Sequence, residues 1–224
     1  MNDIGKPERA TQNRVVKLFV DELGYRYLGD WTDRPGNSNV EAGLLTAWLL
    51  DRGVVPAQIS AALYKLHTEA ANHSRGLYGN NQAVYSLLRY GVQVKTEASE
   101  PTATIQLIDW DHPDKNHFAL AEEVTLKGNY ERRPDLVLYV NGIAVGVIEL
   151  KCSKVSIGDG IRQNLSNQQP EFNAWFFSTV QFVFAGNDTE GLQYGTIGTP
   201  EKYFLRWKEE EEDNSRFKLD KYLL

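Results

Sequence analysis

The chain contains 224 residues, of which 42% are hydrophobic and 24% charged, and its formal net charge is −6 at pH 7. This length fits one large domain or two small ones, and the single cysteine excludes an internal disulfide framework and a four-cysteine zinc site. No apolar stretch approaches the roughly 18 residues of a membrane span, and the polar start is unlike a signal peptide, so we expect a cytoplasmic protein without membrane contact.

The acidic balance does not exclude a nucleic-acid partner, although proteins that bind polyanions are usually basic. Five consecutive acidic residues occupy positions 209–213, and without them the net charge would be −1. Residues 127–162 carry six basic and four acidic side chains. Acidic runs are typical of solvated linkers, so the mean charge hides a mildly basic centre that an anionic partner can approach.

Hydrophobic residues recur at helical spacing in the first 91 residues. The predicted helices cover residues 9–23, 40–50, 57–67 and 82–90. Asn39 is a candidate N-cap for the second helix, Pro56 suits the first turn of the third, and Gly91 ends the fourth. The N-terminal part is therefore predicted to be helical.

The hydrophobic period changes from 3.6 to 2 after residue 91, which predicts strands. They cover residues 92–95, 104–110, 117–125, 136–140, 143–150 and 176–185, and a short helix covers residues 159–168. This order predicts an α/β fold, that is an α+β domain with a mixed sheet. We expect a domain over residues 1–208, with a helical part at about 7–91 and a catalytic sheet at about 92–208. Residues 209–224 would be an acidic linker and the start of a following helix.

Two apolar strands meet at Asn141 and Gly142, a dipeptide typical of tight β-hairpin turns. Strands this apolar are expected at the centre of a sheet, buried on both faces. Three charged residues, Asp135, Glu149 and Lys151, nevertheless stand at one end of the pair. Burying such charges without partners is unfavourable, so they are solvated, paired or bound to a metal.

Register decides whether the two carboxylates share a face of the sheet. Glu149 and Lys151 are two residues apart and point to the same side. If the hairpin loop holds only two residues, Asp135 pairs with Ile148 and points to the opposite side. A bulge or a three-residue turn would return it to the side of Glu149. A site here therefore predicts a bulge or a longer turn in this hairpin.

Two carboxylates on one face suit a hard cation with oxygen ligands. We expect Mg²⁺ to be held by Asp135 and Glu149, with the Leu150 carbonyl as a third ligand and water completing the shell. Lys151 is a candidate to orient an attacking water and to stabilise charge on a phosphorus centre. The alternative is a surface ion pair between Glu149 and Lys151, with Asp135 merely starting a strand.

The spacing of Pro134-Asp135, thirteen residues and Glu149-Leu150-Lys151 resembles the PD-(D/E)XK nuclease motif. Other segments resemble the N-terminal nuclease region of HsdR, the restriction subunit of type I restriction-modification enzymes. These segments are residues 132–137, 146–151, 163–168, 181–187, 194–196 and 203–208. The resemblance covers most of residues 10–210 and implies a restriction-endonuclease-like core with an N-terminal helical part.

The resemblance implies catalytic roles for the three charged residues and for a glutamine on the following helix, for which Gln163 is the best match. Asn167 stands where a tyrosine usually follows that glutamine. Related nucleases can also carry a glutamate of the first helix near the metal. Glu8 and Gln12 both lie near that place, and the sequence does not decide between them.

The resemblance also implies a magnesium-dependent endonuclease that cleaves double-stranded DNA after translocation by its parent complex. Its partners would be methyltransferase and specificity subunits. No ATPase phosphate-binding loop occurs in this sequence, so ATP would serve only a longer subunit. Four flanking basic residues are candidates for sequence-independent phosphate contacts: Arg132, Arg133, Lys154 and Arg162.

Two other functions stay open at this point. One is a non-catalytic docking module that tethers a motor to a methyltransferase core, and the other is a stand-alone repair nuclease of the same fold. Substitution of Asp135 or Glu149 separates the docking module from the nuclease. The net charge of −6 predicts weak, salt-sensitive DNA binding by the isolated chain.

Overall fold

The computed structural model describes residues 8–96, 101–207 and 218–224, which form seven α-helices and nine strands. The helices are α1 (Glu8–Asp21), α2 (Ala42–Asp51), α3 (Pro56–Ala70), α4 (Leu77–Tyr90), α5 (Ile157–Asn167), α6 (Ala174–Phe177) and α7 (Lys218–Leu223). The strands are β1 (Arg26–Asp30), β2 (Val92–Val94), β3 (Ala103–Ile105), β4 (Phe118–Glu122), β5 (Leu136–Val140), β6 (Ile143–Leu150), β7 (Phe182–Asn187), β8 (Gly191–Gly195) and β9 (Leu205–Arg206). Within these ranges every helix is too short or too polar to cross a lipid bilayer.

One mixed sheet organises the fold. Its seven strands run in the order β1-β4-β5-β6-β7-β8-β9, and β2 and β3 form a separate antiparallel ribbon. β1 pairs with β4, and β6 with β7, in parallel, whereas the other neighbours are antiparallel. A parallel pair needs a crossover connection, and the segment containing α5 and α6 supplies it between β6 and β7. The predicted α/β class with a mixed sheet is confirmed.

Helices cover both faces of the sheet. On one face, the fully buried Phe176 and Phe177 of α6 join aliphatic side chains of the central strands. On the other face, α1 and α7 pack through Val15, Phe19 and Leu219. Burying a large apolar side chain contributes roughly 1.5–3 kcal/mol, so β5 and β6 are held firmly from both sides.

A second apolar cluster lies at the turn end of the β5–β6 hairpin. There α2, α3, α4 and the β2–β3 ribbon pack around Trp48, Leu66 and Leu88. Ile143, the first residue of β6, belongs to the same cluster and joins it to the sheet. Asp135 and Glu149 lie at the other end of the hairpin, away from its turn.

The central hairpin has the predicted strand boundaries and contains a bulge. Asn141 and Gly142 form its two-residue turn with φ values of 53° and 86°, which are the left-handed conformations of a type I′ turn. Val145 of β6 has no partner on β5, because the register shifts there by one residue. Such a shift reverses the side-chain alternation beyond it. The predicted bulge is therefore confirmed, at Val145 rather than in the turn.

The predicted cap of the second helix is wrong. The helix begins at Ala42, and no side chain caps it. The Asn39 amide instead donates hydrogen bonds to the carbonyl oxygen of Trp175 and to the hydroxyl of Ser178, both at 3.0 Å. The Asn39 side chain therefore forms tertiary hydrogen bonds instead of the predicted helix cap.

The predicted strands at 104–110 and 176–185 are each shorter than expected. The first stops at Ile105, and the Asn116 amide bonds the main chain of Asp109 and folds the remainder into a loop. The second strand, β7, begins only at Phe182, and the first two residues of the predicted segment, Phe176 and Phe177, lie in α6. Aromatic residues favour strands on average, but burial in context decides their conformation.

Three strands of the main sheet, β1, β8 and β9, were not predicted. β1 lies within the segment predicted to be helical, and it forms one edge of the sheet beside β4. β8 and β9 form the other edge. β1 and β9 are short and partly exposed, and β8 begins and ends with glycine, so the apolar alternation of all three strands is weak.

The helix α7 packs on the main sheet. Leu219 and Tyr222 are buried, and Arg14 of α1 donates from Nε to both carboxylate oxygens of Asp220 at 2.9 and 3.0 Å. These contacts place the predicted final helix against the sheet. The predicted acidic linker at 209–213 lies outside the described residues.

Candidate active site

The bulge places Asp135 and Glu149 side by side at the charged end of the hairpin. Leu136 pairs with Ile148, so the next residues outward, Asp135 and Glu149, oppose each other and project to the same face. That face carries α5, where a Cβ built on Gly160 would lie 3.6 Å from the Cβ of Glu149. The two acidic residues are only 9% and 0% exposed.

Asp135 is held through both its side chain and its main chain. Its Oδ2 accepts a hydrogen bond from the main-chain N–H of Leu150 at 2.6 Å, and its carbonyl oxygen accepts one from the main-chain N–H of Glu123 at 2.9 Å. Burial raises the pKa of Asp135 to about 6, although the Leu150 N–H and the Lys151 ammonium act in the opposite direction. The carboxylate is therefore mostly ionised at neutral pH.

Glu149 is a fully buried carboxyl group that lies beside the carboxyl group of Asp135. Its Oε1 accepts from Asn167 Nδ2 at 3.4 Å, and its Oε2 has no hydrogen-bond partner among the described residues. Burial, followed by the neighbouring Asp135 carboxylate, raises the pKa of Glu149 well above its ordinary value. A buried oxygen in this state is unfavourable unless a further group binds it.

Lys151 brings a positive charge to the two carboxylates. Its ammonium group donates a hydrogen bond to Glu8 Oε1 at 3.1 Å, and its side chain is 11% exposed. Burial alone lowers the pKa of Lys151, but the nearby carboxylates outweigh it and the net shift is upward. The lysine therefore stays protonated at neutral pH.

The carboxyl pair fits a divalent cation. The unpartnered Oε2 of Glu149 is available as a ligand, and hard cations such as Mg²⁺ prefer carboxylate oxygens. In the described part of the chain, no three histidine, cysteine, aspartate or glutamate side chains form a metal-binding group. A cation held by Asp135 and Glu149 would therefore complete its shell with the Leu150 carbonyl and water. These three ligand assignments stay predictions.

We expect the ionisation of Asp135 to lower the free energy of unfolding of the metal-free chain as the pH rises. Folding raises the pKa of Asp135 from 3.8 to about 6, so the folded state binds the proton more tightly and stability decreases between these two values. The shift corresponds to about 3 kcal/mol. Urea unfolding in EDTA at several pH values measures it as the difference between wild type and Asp135→Asn. A difference that stays constant from pH 4 to pH 7 contradicts the prediction.

The helix α5 packs against the face of the sheet that carries the two carboxyl groups. Asn167, at the position where the related tyrosine would stand, is fully buried and contacts Glu149. Gln163 lies one turn earlier and is half-buried, and residues four apart on a helix share a face. Gln163 therefore lies on the face that Asn167 presents to the site. Its catalytic role stays a prediction.

Two of the predicted phosphate contacts, Arg132 and Lys154, form no ion pair within the part of the chain that the structure describes. The Arg132 guanidinium stacks 3.9 Å from the centre of the Phe172 ring, and Lys154 is exposed. Cation–π stacking leaves the edge of a guanidinium available for hydrogen bonds. Both side chains can therefore reach a phosphate.

The other two predicted phosphate contacts form ion pairs within the chain. Arg133 pairs with Glu123 at 3.0 Å, and Arg162 pairs with Asp159 and Glu201 at 2.5 and 2.6 Å. Exposed pairs of this kind contribute little to stability. A DNA phosphate can therefore compete for these two arginines.

The structure distinguishes the two candidates of the first helix. Glu8 contacts Lys151 across 143 positions of sequence, whereas Gln12 bonds Glu122 across 110 positions. Only tertiary packing fixes such contacts. Glu122 and Glu123 were not predicted as parts of the site, although an acidic pair at the end of an apolar strand is a signal that could have identified them.

Comparison with known proteins assigns the chain to a family. Residues 5–202 match the family described as type I restriction enzyme R protein N terminus. The chain is 25% identical over 175 residues to a Methanocaldococcus jannaschii protein named as the MjaIXP endonuclease subunit of a type I restriction enzyme, which covers 74% of this chain and 16% of that protein. It is 24% identical over 145 residues to the type I restriction enzyme HindI endonuclease subunit of Haemophilus influenzae, with 62% and 14% covered. The chain thus spans less than a fifth of the length of these relatives.

Proposed function

Because the chain belongs to the family of type I restriction enzyme R protein N termini, we propose that it is a magnesium-dependent endonuclease domain that hydrolyses phosphodiester bonds of double-stranded DNA. The observation that carries this proposal is the buried pair of Asp135 and Glu149 with Lys151 beside it. The relatives are named endonuclease subunits, which supports a nuclease.

Each group at the end of the hairpin has a role in this proposal. Asp135, Glu149 and the Leu150 carbonyl hold the cation. A bound Mg²⁺ supplies positive charge at the scissile phosphate and lowers the pKa of a water. Lys151, protonated and anchored by Glu8, orients the attacking water and stabilises the charge that develops on the phosphate.

Basic side chains around the carboxylates bind the DNA backbone in this proposal. Arg132 and Lys154 contact phosphates directly, and Arg133 and Arg162 exchange their exposed ion pairs for phosphates. Gln163 on α5 contacts the substrate or the attacking water.

Other parts of the parent complex supply most of the affinity for DNA in this proposal. A net charge of −6 makes binding by the isolated chain weak and salt-sensitive. Methyltransferase and specificity subunits are the proposed partners, and ATP is used by a motor region of the longer R subunit.

Asp135→Ala in the complete restriction complex tests the proposal. We expect DNA cleavage in Mg²⁺ to fall by at least about 10²-fold, to the level that EDTA gives with the wild type, while ATP hydrolysis continues. Gel analysis of plasmid cleavage measures the effect. Asp114→Ala, which removes an exposed carboxylate outside the site, is the matched control and should cleave normally.

This experiment and a cleavage assay of the isolated wild-type chain separate the alternative functions. Normal cleavage by a folded Asp135→Ala complex would contradict the nuclease proposal and support a non-catalytic docking module. Full cleavage by the isolated chain, without partners or ATP, would instead support a stand-alone repair nuclease.

A further inference from the structure

A buried carboxylate outside the proposed catalytic set binds three side chains of the N-terminal region. Glu122, the last residue of β4, is 5% exposed. Its Oε1 accepts hydrogen bonds from the Tyr27 hydroxyl at 2.5 Å and from Arg9 Nη2 at 3.1 Å. Its Oε2 accepts one from Gln12 Nε2 at 3.0 Å. A buried carboxylate with donors on both oxygens is fixed in place.

Gln12 joins this carboxylate to the strand end that carries Asp135. Its side chain is buried, and the same Nε2 lies 3.4 Å from the main-chain carbonyl oxygen of Asp135. Glu122 itself pairs with Leu136, the residue that follows Asp135. The Gln12 amide therefore lies where α1, β4 and the start of β5 meet.

The same face of α1 reaches the catalytic lysine. Glu8 precedes Gln12 by four residues, and such residues project from the same face of a helix. Glu8 Oε1 accepts the hydrogen bond from Lys151 Nζ at 3.1 Å. Glu8 and Gln12 lie one turn apart on the same helix. A contact that holds Gln12 in place therefore also holds the Glu8 carboxylate that bonds Lys151.

The backbone beside Glu122 adopts a conformation that its neighbours must maintain. Glu123 has a φ of 51°, in the left-handed region that non-glycine residues rarely adopt. In this conformation its N–H donates to the Asp135 carbonyl oxygen at 2.9 Å, the same oxygen that the Gln12 amide approaches. Strained residues persist only where the surrounding contacts hold them. The bond between Gln12 and Glu122 is one of those contacts.

We propose that Gln12 and Glu122 are positioning residues whose mutual hydrogen bond aligns α1 and β4 with the strand end that places the Asp135 carboxylate and, through Glu8, the Lys151 ammonium. The inference rests on the proposed function, because that function assigns catalysis to Asp135 and Lys151. Gln12 and Glu122 act through these groups and contact neither the DNA nor the cation.

The pair can be removed without leaving either partner buried and unbonded. Deleting one partner of a buried hydrogen bond strands the other, whereas replacing both by apolar side chains of similar shape is close to neutral. The double variant Gln12→Met/Glu122→Met of the full chain follows this logic. Tyr27, which loses its acceptor, is 41% exposed and can bond water instead, and Arg9 keeps its ion pairs with Asp30 and Glu123.

Amide hydrogen exchange of Leu150 reports the place of Asp135 directly. The Leu150 N–H donates to Asp135 Oδ2 at 2.6 Å, whereas the adjacent Lys151 N–H donates to the carbonyl oxygen of Gly186 at 2.9 Å. In the double variant, without metal or DNA, we expect exchange at Leu150 to accelerate by about tenfold or more relative to Lys151. Equal changes at both amides, or no change, would overturn the proposal.

Two further variants keep the exchange experiment decisive. Gln12→Met alone, which leaves Arg9 and Tyr27 on Glu122, should accelerate Leu150 exchange in the same way and serves if the double variant does not fold. Tyr27→Phe removes a donor from Oε1 but leaves the Gln12 bond on Oε2, so it should leave the exchange ratio unchanged. A Tyr27→Phe effect as large as that of Gln12→Met would contradict the assigned role of Gln12.

Manganese titration links positioning to the proposed function. Changing a residue that orients a metal ligand typically lowers metal affinity by about 10–100-fold, so we expect the double variant to bind Mn²⁺ at least about tenfold more weakly than the wild type. An affinity equal to that of the wild type would contradict the proposal. If the wild type binds no Mn²⁺ at all, the proposed function fails, while the exchange ratio still decides whether Gln12 and Glu122 position Asp135.

Discussion

Glu149→Gln is expected to abolish DNA cleavage while making the metal-free chain more stable. The Glu149 side chain is buried, one of its oxygens lacks a partner among the described residues, and burial together with Asp135 raises its pKa well above the ordinary value. A neutral amide removes the unfavourable burial of an ionisable carboxyl group but is a poorer ligand for a divalent cation. We expect cleavage by the complete complex to fall by at least about 10²-fold. The free energy of unfolding at pH 8 should rise by about 1 kcal/mol.

Urea unfolding in EDTA and plasmid cleavage in Mg²⁺ measure the two effects of Glu149→Gln. Glu131→Gln removes an exposed carboxylate only four residues before Asp135, and it should change neither quantity. Opposite changes in stability and activity are typical of functional sites, because such sites keep unfavourable groups for their chemistry. A Glu149→Gln chain that is less stable, or that still cleaves DNA, would show that Glu149 is an ordinary structural residue.

Lys151→Met should abolish cleavage by a different route, with metal binding preserved. Methionine keeps most of the aliphatic length of the side chain but removes the ammonium that contacts Glu8 and lies near Asp135. Without that positive charge the carboxylates attract a cation at least as strongly. The stabilisation of developing negative charge is lost, which costs about 10²–10³-fold in rate.

Manganese titration and single-turnover cleavage separate these two consequences for Lys151→Met. Lys17→Met, which removes a lysine whose side chain is 78% exposed on α1, is the matched control and should behave like the wild type in both measurements. If Lys151→Met cleaves DNA normally, the lysine has no catalytic role. If it cleaves poorly only because Mn²⁺ no longer binds, its role is to shape the metal site.

The central hairpin was predictable because its signals are local and strong. The two apolar runs and the intervening Asn141-Gly142 dipeptide fix β5 and β6 at their predicted boundaries. The requirement that Asp135 and Glu149 share a face predicted an irregularity in the hairpin. Its location at Val145 was not predicted, although the adjacent Gly146 is an isolated glycine inside the strand, a residue that often marks a bulge.

The remaining parts of the fold depend on contacts that the local sequence does not encode. The strands β1 and β9 are short and partly exposed, and β8 begins and ends with glycine, so the apolar alternation of all three is weak. Phe176 and Phe177 were predicted to lie in a strand, but they belong to the short helix α6 and pack against the sheet from there.

The candidate site could be predicted in its charged residues but not in its supporting contacts. Spacing placed Asp135, Glu149 and Lys151 at one end of the hairpin, and the resemblance to the nuclease motif assigned them to one site. The choice between Glu8 and Gln12 depends on how α1 packs across strands that lie more than a hundred positions away. Side chains at such distances are brought together only by the complete fold.

The position of a bound cation tests the central claim most directly. Crystals of the chain soaked in Mn²⁺ give an anomalous signal that locates the metal, and Glu149→Gln crystals provide the matched control. We predict one peak about 2.1 Å from oxygens of both Asp135 and Glu149 in the wild type, and none at that place in Glu149→Gln. A wild-type peak elsewhere, or no peak at saturating Mn²⁺, would contradict the assignment of these two carboxylates to a metal-dependent nuclease site.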